Sequence, residues 1–533
     1  MKRFTVLASG FLVLLFCVPA TSGQAQTTEK LGTVQFPVSC TPAAQREFNR
    51  AVALLHSFWF DAAARGFAAA TREDPTCTMG YWGEAMAILF APNPFTGTPT
   101  PKGLQDGCPV VERAKAAGGK TQRERDYVAA VDSLCKDRDT ADLRARQVAY
   151  EQAMERLSRA NPEDREAAVF YALALNVTAS PADKTYANQL KAAAILEKVF
   201  AEQPDHPGVA HYLIHSYDYP PIAARGLPAA RRYAGIAPSA PHALHMPSHI
   251  FTREGFWQES IESNRASAAA AKDQLNRLHA MDYLAYAYLQ GAQDVAAKGV
   301  LDEAQATPKP FQEHFVAGYA LAAIPARYAL ERGRWAEAAS LAPSPADFPW
   351  GRFAQDEAIT VFVRALGAAR SGDPARARQD VDRLLVLRDA LTSAKQGYWA
   401  EQVDIQRRVT SAWVARAEGK NQEALQLLRA AADAEDSTEK HPVTPGPIVP
   451  ARELLGEMLL ELNQPALALK EFEASMAKEP NRFRGLSGAA KAAALAGDGE
   501  KAKALYGRLV LLAGRADTDR PELVEAKGFL AKK

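Results

Sequence analysis

The sequence predicts an all-α chain built as a solenoid of stacked antiparallel helix pairs. Three observations carry that prediction. Apolar and small residues recur at helical spacing almost throughout, whereas strand-like alternation between tight turns is hard to find anywhere. An alanine followed four residues later by an aromatic, and then by a closing proline, stands near both ends of the chain: Ala63, Phe67 and Pro75, and again Ala468, Phe472 and Pro480. Glycine or alanine recurs where such helix pairs must approach closely to hide their apolar stripes on one another.

With 533 residues the chain could hold three or four ordinary domains, yet a repeat array fills the same length as one body. The 63 Lys and Arg side chains against 62 Asp and Glu leave a formal charge of +1, which lacks the footprint of a phosphate-neutralising surface. Nucleic acid is not an expected partner. A hydrophobic content of 47% with 23% charged residues leaves ample apolar surface for a core.

The elements are taken in chain order. Lys2 and Arg3 precede an apolar run from Phe4 to Val18, then Pro19 and the small polar stretch Ala20 to Gln26. This pattern is a secretory signal peptide, residues 1–25, with Gly23 and Ala25 as the small residues before cleavage. The run is too short for a stable membrane span, and Phe16 before Cys17 disfavours a lipoprotein. The mature chain is expected to be periplasmic or secreted, with no membrane span. It keeps Cys40, Cys77, Cys108 and Cys135, an even number suited to disulfides in an oxidising compartment. Of three connectivities, Cys40 with Cys77 and Cys108 with Cys135 close the short loops, and the alternative is buried free thiols.

The clearest repeat unit runs from Leu455 and Gly456 through Leu459, Ala468 and Phe472 to Pro480. The next continues with Gly497, Ala502 and Tyr506, and the first has Ala63, Phe67, Ala70 and Pro75. Further copies read as Gly333, Trp335 and Ala338, and as Gly419, Ala424, Leu428 and Ala431. This spacing resembles the tetratricopeptide repeat. The segments Leu55 to Trp59, Tyr81 to Gly83 and His242 to His249 are similar to a subgroup of secreted bacterial proteins of that superfamily, a likeness that brings no reaction with it. Met79, Trp82 and Met86 take the second, fifth and ninth repeat positions and are read as packing. Clusters of Pro and Gly at 91–120, 342–351 and 437–450 read as loops or linkers. Pro308 and Pro310 break the phase, dividing the mature chain into a repeat region at 26–308 and another at 309–533.

Seven of the ten histidines lie between His206 and His279. If Pro204 and Pro238 close repeats, the next units begin at Pro207 and Pro241, 34 residues apart. His211 and His215 are then the fifth and ninth residues of one unit, and His245 and His249 those of the next. A further step of 34 lands on His279 and Tyr283. Residues four apart share a helix face, so each pair projects two imidazoles side by side. The resemblance implies that fifth and ninth positions face a concave, ligand-binding groove.

Paired imidazoles on facing helices suit zinc, copper or iron, so His211, His215, His245, His249 and His279 are the expected metal ligands. His242, Asp218 and Tyr283 are further ligands or outer-shell partners, and Asp282 and Glu313 are placed as conceivable general bases. No serine-hydrolase elbow, phosphate-binding loop, HExxH helix or dinucleotide fingerprint occurs, and no catalytic residue is assigned. The expected function is a secreted or periplasmic scaffold that binds a protein or peptide in its groove and carries a histidine metal site. The alternatives are a metal-dependent enzyme on the same histidines, with His211, His215, His245 and His249 holding one ion, and a metal-free interaction module.

Overall fold

Helix follows helix along the chain, each packed on its neighbour, and no strand occurs among the described residues. The computed structural model describes residues 29–532 together with Met1 and Thr5. The signal peptide read at residues 1–25 otherwise lies outside them. The architecture is the expected tetratricopeptide-type α-solenoid of antiparallel pairs. Among the described residues no helix is long and apolar enough to cross a membrane.

The repeat signature has a packing cause. Ala63, Phe67 and Ala70 lie on the buried stripe of helix Phe60–Glu73, and Phe67 inserts against the helix Thr78–Phe90. It does so at Gly83, where an added methyl would overlap the Phe67 ring. Phe472 meets Gly456 and Gly488 in the same way near the other end. Glycine at this place lets two helices close on an aromatic wedge, which binds each pair to the next. Met79, Trp82 and Met86 are buried in an aromatic core with Phe36, Phe48 and Tyr127, as packing residues.

Both short-loop disulfides are present, Cys40–Cys77 and Cys108–Cys135. The Pro/Gly-rich stretch at 91–120 is not all loop, because Pro101–Ala117 is helical. Composition misleads there: Thr100 caps that helix by accepting from the Gly103 N–H, Pro101 takes its first turn, and left-handed Gly118 ends it. The stretch at 438–450 is non-helical, as expected, but it is tied into the fold rather than trailing between domains. The His441 N–H donates to the Tyr398 hydroxyl at 2.8 Å.

The buried apolar residues form two clusters, one spanning Leu31 to Phe251 and the other Trp257 to Ala526. The histidine-bearing helices Pro207–Tyr217, Pro241–His245, Pro247–Arg253 and Gln274–Gln290 lie at the meeting of these clusters.

Candidate metal centre

Local sequence places the imidazoles. His206 caps helix Pro207–Tyr217, its Nδ1 accepting from the Val209 N–H at 3.3 Å, and this sets His211 and His215 one turn apart. His242, His245 and His249 do not share one unbroken helix, because Pro247 divides the segment into Pro241–His245 and Pro247–Arg253. The break leaves His245 and His249 facing each other nonetheless.

Their ligand atoms gather as two triads, His211, His215 and His242, and His245, His249 and His279, each set within 4.8 Å of itself. The five register histidines therefore do converge, and His242, outside the 34-residue register, completes the first triad. The ligand atoms thus gather as two groups of three, where the sequence reading had placed His211, His215, His245 and His249 around one ion. The reason is that His242 and His279 reach the i, i+4 pairs from the adjoining turn and helix. The triads are neighbours: the ring centroids of His215 and His249, and likewise of His242 and His245, are 5.9 Å apart.

Hydrogen bonds fix which nitrogen carries the proton. His249 Nδ1–H donates to Asp218 Oδ2 at 2.9 Å, and His245 Nδ1–H donates to Asn264 Oδ1 at 2.6 Å. The Asn264 amide is itself oriented, since its Nδ2 donates to the Ser260 carbonyl at 2.8 Å. Both Nε2 atoms are thus bare lone pairs, and they face each other at 3.1 Å. In the other pair, His211 Nδ1–H donates to the His56 carbonyl at 2.6 Å, and its Nε2 lies 3.1 Å from that of His215. Second partners of this kind orient metal-binding imidazoles. Two nitrogens at 2.0–2.1 Å from one ion lie about 3.1 Å apart when the angle at the ion is roughly 100°.

A proton does not readily take the place between these nitrogens. Burial holds His211, His215, His242, His245 and His279 well below the ordinary imidazole value, reinforced by their mutual repulsion. Burial lowers His249 too, against the opposing pull of Asp218. His242 Nε2 is buried without a hydrogen-bond partner.

The remaining expected residues divide by role. Asp218 stands outside both triads, accepting from His249, from Arg253 Nε at 2.9 Å and from Lys440 Nζ at 2.6 Å. Tyr283 stacks beside His245 and His249 and donates its hydroxyl to the Thr444 carbonyl at 2.9 Å. Asp282 meets Arg327 through Oδ1 while its Oδ2 is buried without a partner, and burial pushes its pKa up to about 6; Glu313 pairs with Arg352. The histidines are also not on an open groove: Phe58 covers His211 and His242, Phe95 covers His215, and the 438–450 loop closes the Tyr283 side.

A third cluster, His56, Glu166 and His206, offers a contrast. Glu166 takes His56 Nε2 at 2.9 Å and His206 Nε2 at 2.8 Å, while His56 Nδ1 lies 3.0 Å from the Tyr212 hydroxyl. Every ring nitrogen has a partner, so this is a hydrogen-bonded clasp, and it holds the His56 carbonyl against His211.

Two cavities flank the centre. One of about 220 Å³ is lined by Phe58, Leu275, Asp61, Asp273, His242 and His279, so the third histidine of each triad opens on it. The other, about 840 Å³, lies beyond Arg253 and Lys440 and is walled by Tyr186, Tyr319, Tyr398 and Trp399.

No family model and no curated protein matches the chain. Among solved structures it is similar to human IFIT1 in a dimer with PPP-AAAA, at 13% identity over 77% of this chain and 87% of that one, with a TM-score of 0.40. It is also similar to the P58(IPK) TPR domain, at 12% identity over 92% of this chain and 100% of that one, with a TM-score of 0.21. The fold, an α-solenoid of antiparallel helix pairs, rests on the helix packing itself. Neither likeness bears on what this solenoid binds.

Proposed function

We propose that this chain is a helical-repeat scaffold, acting outside the cytoplasm, whose inner layer holds two transition-metal ions on neighbouring three-histidine sites. One observation carries the reading: the bare Nε2 atoms of His245 and His249 face each other at 3.1 Å, with their tautomers fixed by Asn264 and Asp218. Neither atom can donate to the other, and burial opposes a bridging proton, so a cation is the partner that satisfies both. Three ligands leave a coordination position open on the smaller cavity, which supports an ion that works on a small ligand over a purely structural one.

The extracytoplasmic part rests on the signal-peptide pattern at 1–25 and on the two disulfides. A second reading, a groove ligand of peptide character, is favoured by the larger cavity. Its wall mixes aromatic rings with the amides of Gln355, Gln402 and Gln406, and Gln406 Oε1 is buried there without a partner.

The test is elemental analysis of the mature chain purified without a histidine tag, beside the double variant His245→Ala, His249→Ala. Two ions per chain are expected in the parent and one in the variant. A parent that stays metal-free after incubation with zinc, copper and iron ends the metal reading and leaves the peptide groove.

A further inference from the structure

Resting on the two-ion reading, we propose that the pair is a copper pair that binds dioxygen between its ions. The donor set is the first support. All six ligands are imidazoles, and no carboxylate enters either triad. The nearest carboxylate, Asp218, is occupied by His249, Arg253 and Lys440. Imidazole shells take copper, zinc, iron and nickel and leave out the hard, carboxylate-seeking ions, so the donor set admits copper and the choice of copper over zinc rests on charge.

Charge is the second support. Asp218 and Glu479 balance Arg253 and Lys440 beside the centre, so these buried side chains leave no net negative charge to offset a cation. Two divalent ions on neutral ligands would add +4 to that buried setting, whereas two copper(I) ions add +2. Oxygenation keeps the lower figure. Each copper(I) gives one electron to dioxygen and becomes copper(II), the O–O bond drops from double to single, and the bound peroxide carries −2. The sum on the centre stays at +2, and no proton or outside reductant is needed.

Access and adjacency are the third. The triads are in ring contact at 5.9 Å, so two seated ions share one chamber in which a diatomic bridge can reach both. The cavity of about 220 Å³ onto which His242 and His279 open is below the usual size of drug-like ligand sites and so admits a small molecule; its wall is mixed, with Phe58, Leu275 and Val443 beside Asp61, Asp273 and Asn276.

Metal-depleted mature protein is titrated without oxygen with copper(I) against a coloured copper(I) chelator, and in parallel with zinc(II). Air-saturated buffer is then added while oxygen uptake and electron paramagnetic resonance are read. Expected are two copper(I) per chain, preferred over zinc, one dioxygen consumed per two coppers, and an oxidised product with no resonance because the bridged spins pair. Zinc displacing copper(I) at equal concentration would overturn the copper assignment while leaving the two-ion reading intact; failure to bind either metal removes both. Copper that ignores dioxygen, or that yields the signal of isolated copper(II), overturns the bridge. His242→Ala and, on the other triad, His279→Ala should each hold one copper and lose more than about tenfold of the oxygen uptake, since a lone copper(I) supplies one electron. Circular dichroism checks that both variants fold, and parental uptake in either one refutes the proposal.

Discussion

Replacing Asp218 by asparagine removes one charge and almost no volume from a buried junction, and its consequences follow from three bonds. Oδ2 takes His249 Nδ1–H at 2.9 Å and Lys440 at 2.6 Å, while Oδ1 takes Arg253 at 2.9 Å. An asparagine has a single acceptor oxygen. If that oxygen turns to Arg253, the amide N–H meets Lys440 and His249; if it turns to Lys440 and His249, the amide meets Arg253. Either way a donor faces a donor, and two buried cations lose their counter-charge. Breaking a buried pair in this manner costs about 3–5 kcal/mol, and the lower end is expected because Arg253 keeps Glu479 at 3.9 Å. The metal effect is separate. An amide N–H aimed at His249 Nδ1 drives the ring proton to Nε2 and occupies the lone pair that the ion needs. The second triad should lose about 10–100-fold in affinity and the first should not. Urea denaturation of the metal-free protein reads the first effect and chelator competition the second. A variant within about 0.5 kcal/mol of the parent, with both sites unchanged in affinity, would refute the assignment of Asp218 as the anchor.

Asp356 is fully buried with neither carboxyl oxygen partnered, and burial pushes its pKa well above the ordinary carboxylate value. A raised folded value means stability that is complete below the ordinary range and lost as pH rises toward the folded value, by about 1.4 kcal/mol per unit. Asp356→Asn should remove that slope and so gain on the parent between pH 5 and pH 7, as urea midpoints at the two pH values will show. Cys40→Ser with Cys77→Ser opens a loop closed over a separation of 37 residues and should cost about 4 kcal/mol, read as a lowered Tm. Glu166→Gln weakens the clasp on His56 and His206 by about 1–3 kcal/mol in denaturation yet should leave two ions per chain, because no triad member bonds to it.

Much of the architecture was legible in the sequence because the repeat is a local device. Ala63, Phe67 and Gly83 meet within one helix pair and the next, so their spacing writes the packing directly into the chain. The same holds for the histidines, where i, i+4 pairs at 34-residue intervals announce a common face. His242 stood outside that register, and it joins His211 and His215 from the first turn of helix Pro241–His245. The outer shell left no sequence signal. Lys440 reaches Asp218 across 222 residues, from a proline-rich stretch whose composition says only that it is not helical. Asn264 and Arg253 are ordinary residues on polar-looking helices, and their meaning is set by what they touch.

Phe58 joins the repeat to the histidine cluster. The turn between the two helices of a unit puts its second residue in the left-handed region: Gly255, Gly333, Gly372, Gly419 and Gly497 hold it in five units, and Ala292 and Asn463 in two more. In the first unit the same place is Phe58, at φ +51°. A bulky residue there costs about 1–2 kcal/mol that glycine would avoid. The ring is buried, 4.3 Å from His211 and 5.5 Å from His242 between centroids, and it also lines the smaller cavity. A strained aromatic that turns toward two imidazoles fits a role in closing their site better than a role in the turn. Phe58→Gly and Phe58→Ala both delete the ring, but only glycine relaxes the backbone. The glycine variant should therefore be the more stable by about 1 kcal/mol, the reverse of the usual order. Both should hold two ions and surrender them to a chelator faster than the parent. If release is unchanged while the stability order is as expected, the strain belongs to the turn alone and the ring does not screen the metal pair; if alanine is the more stable, the left-handed strain at Phe58 is itself refuted.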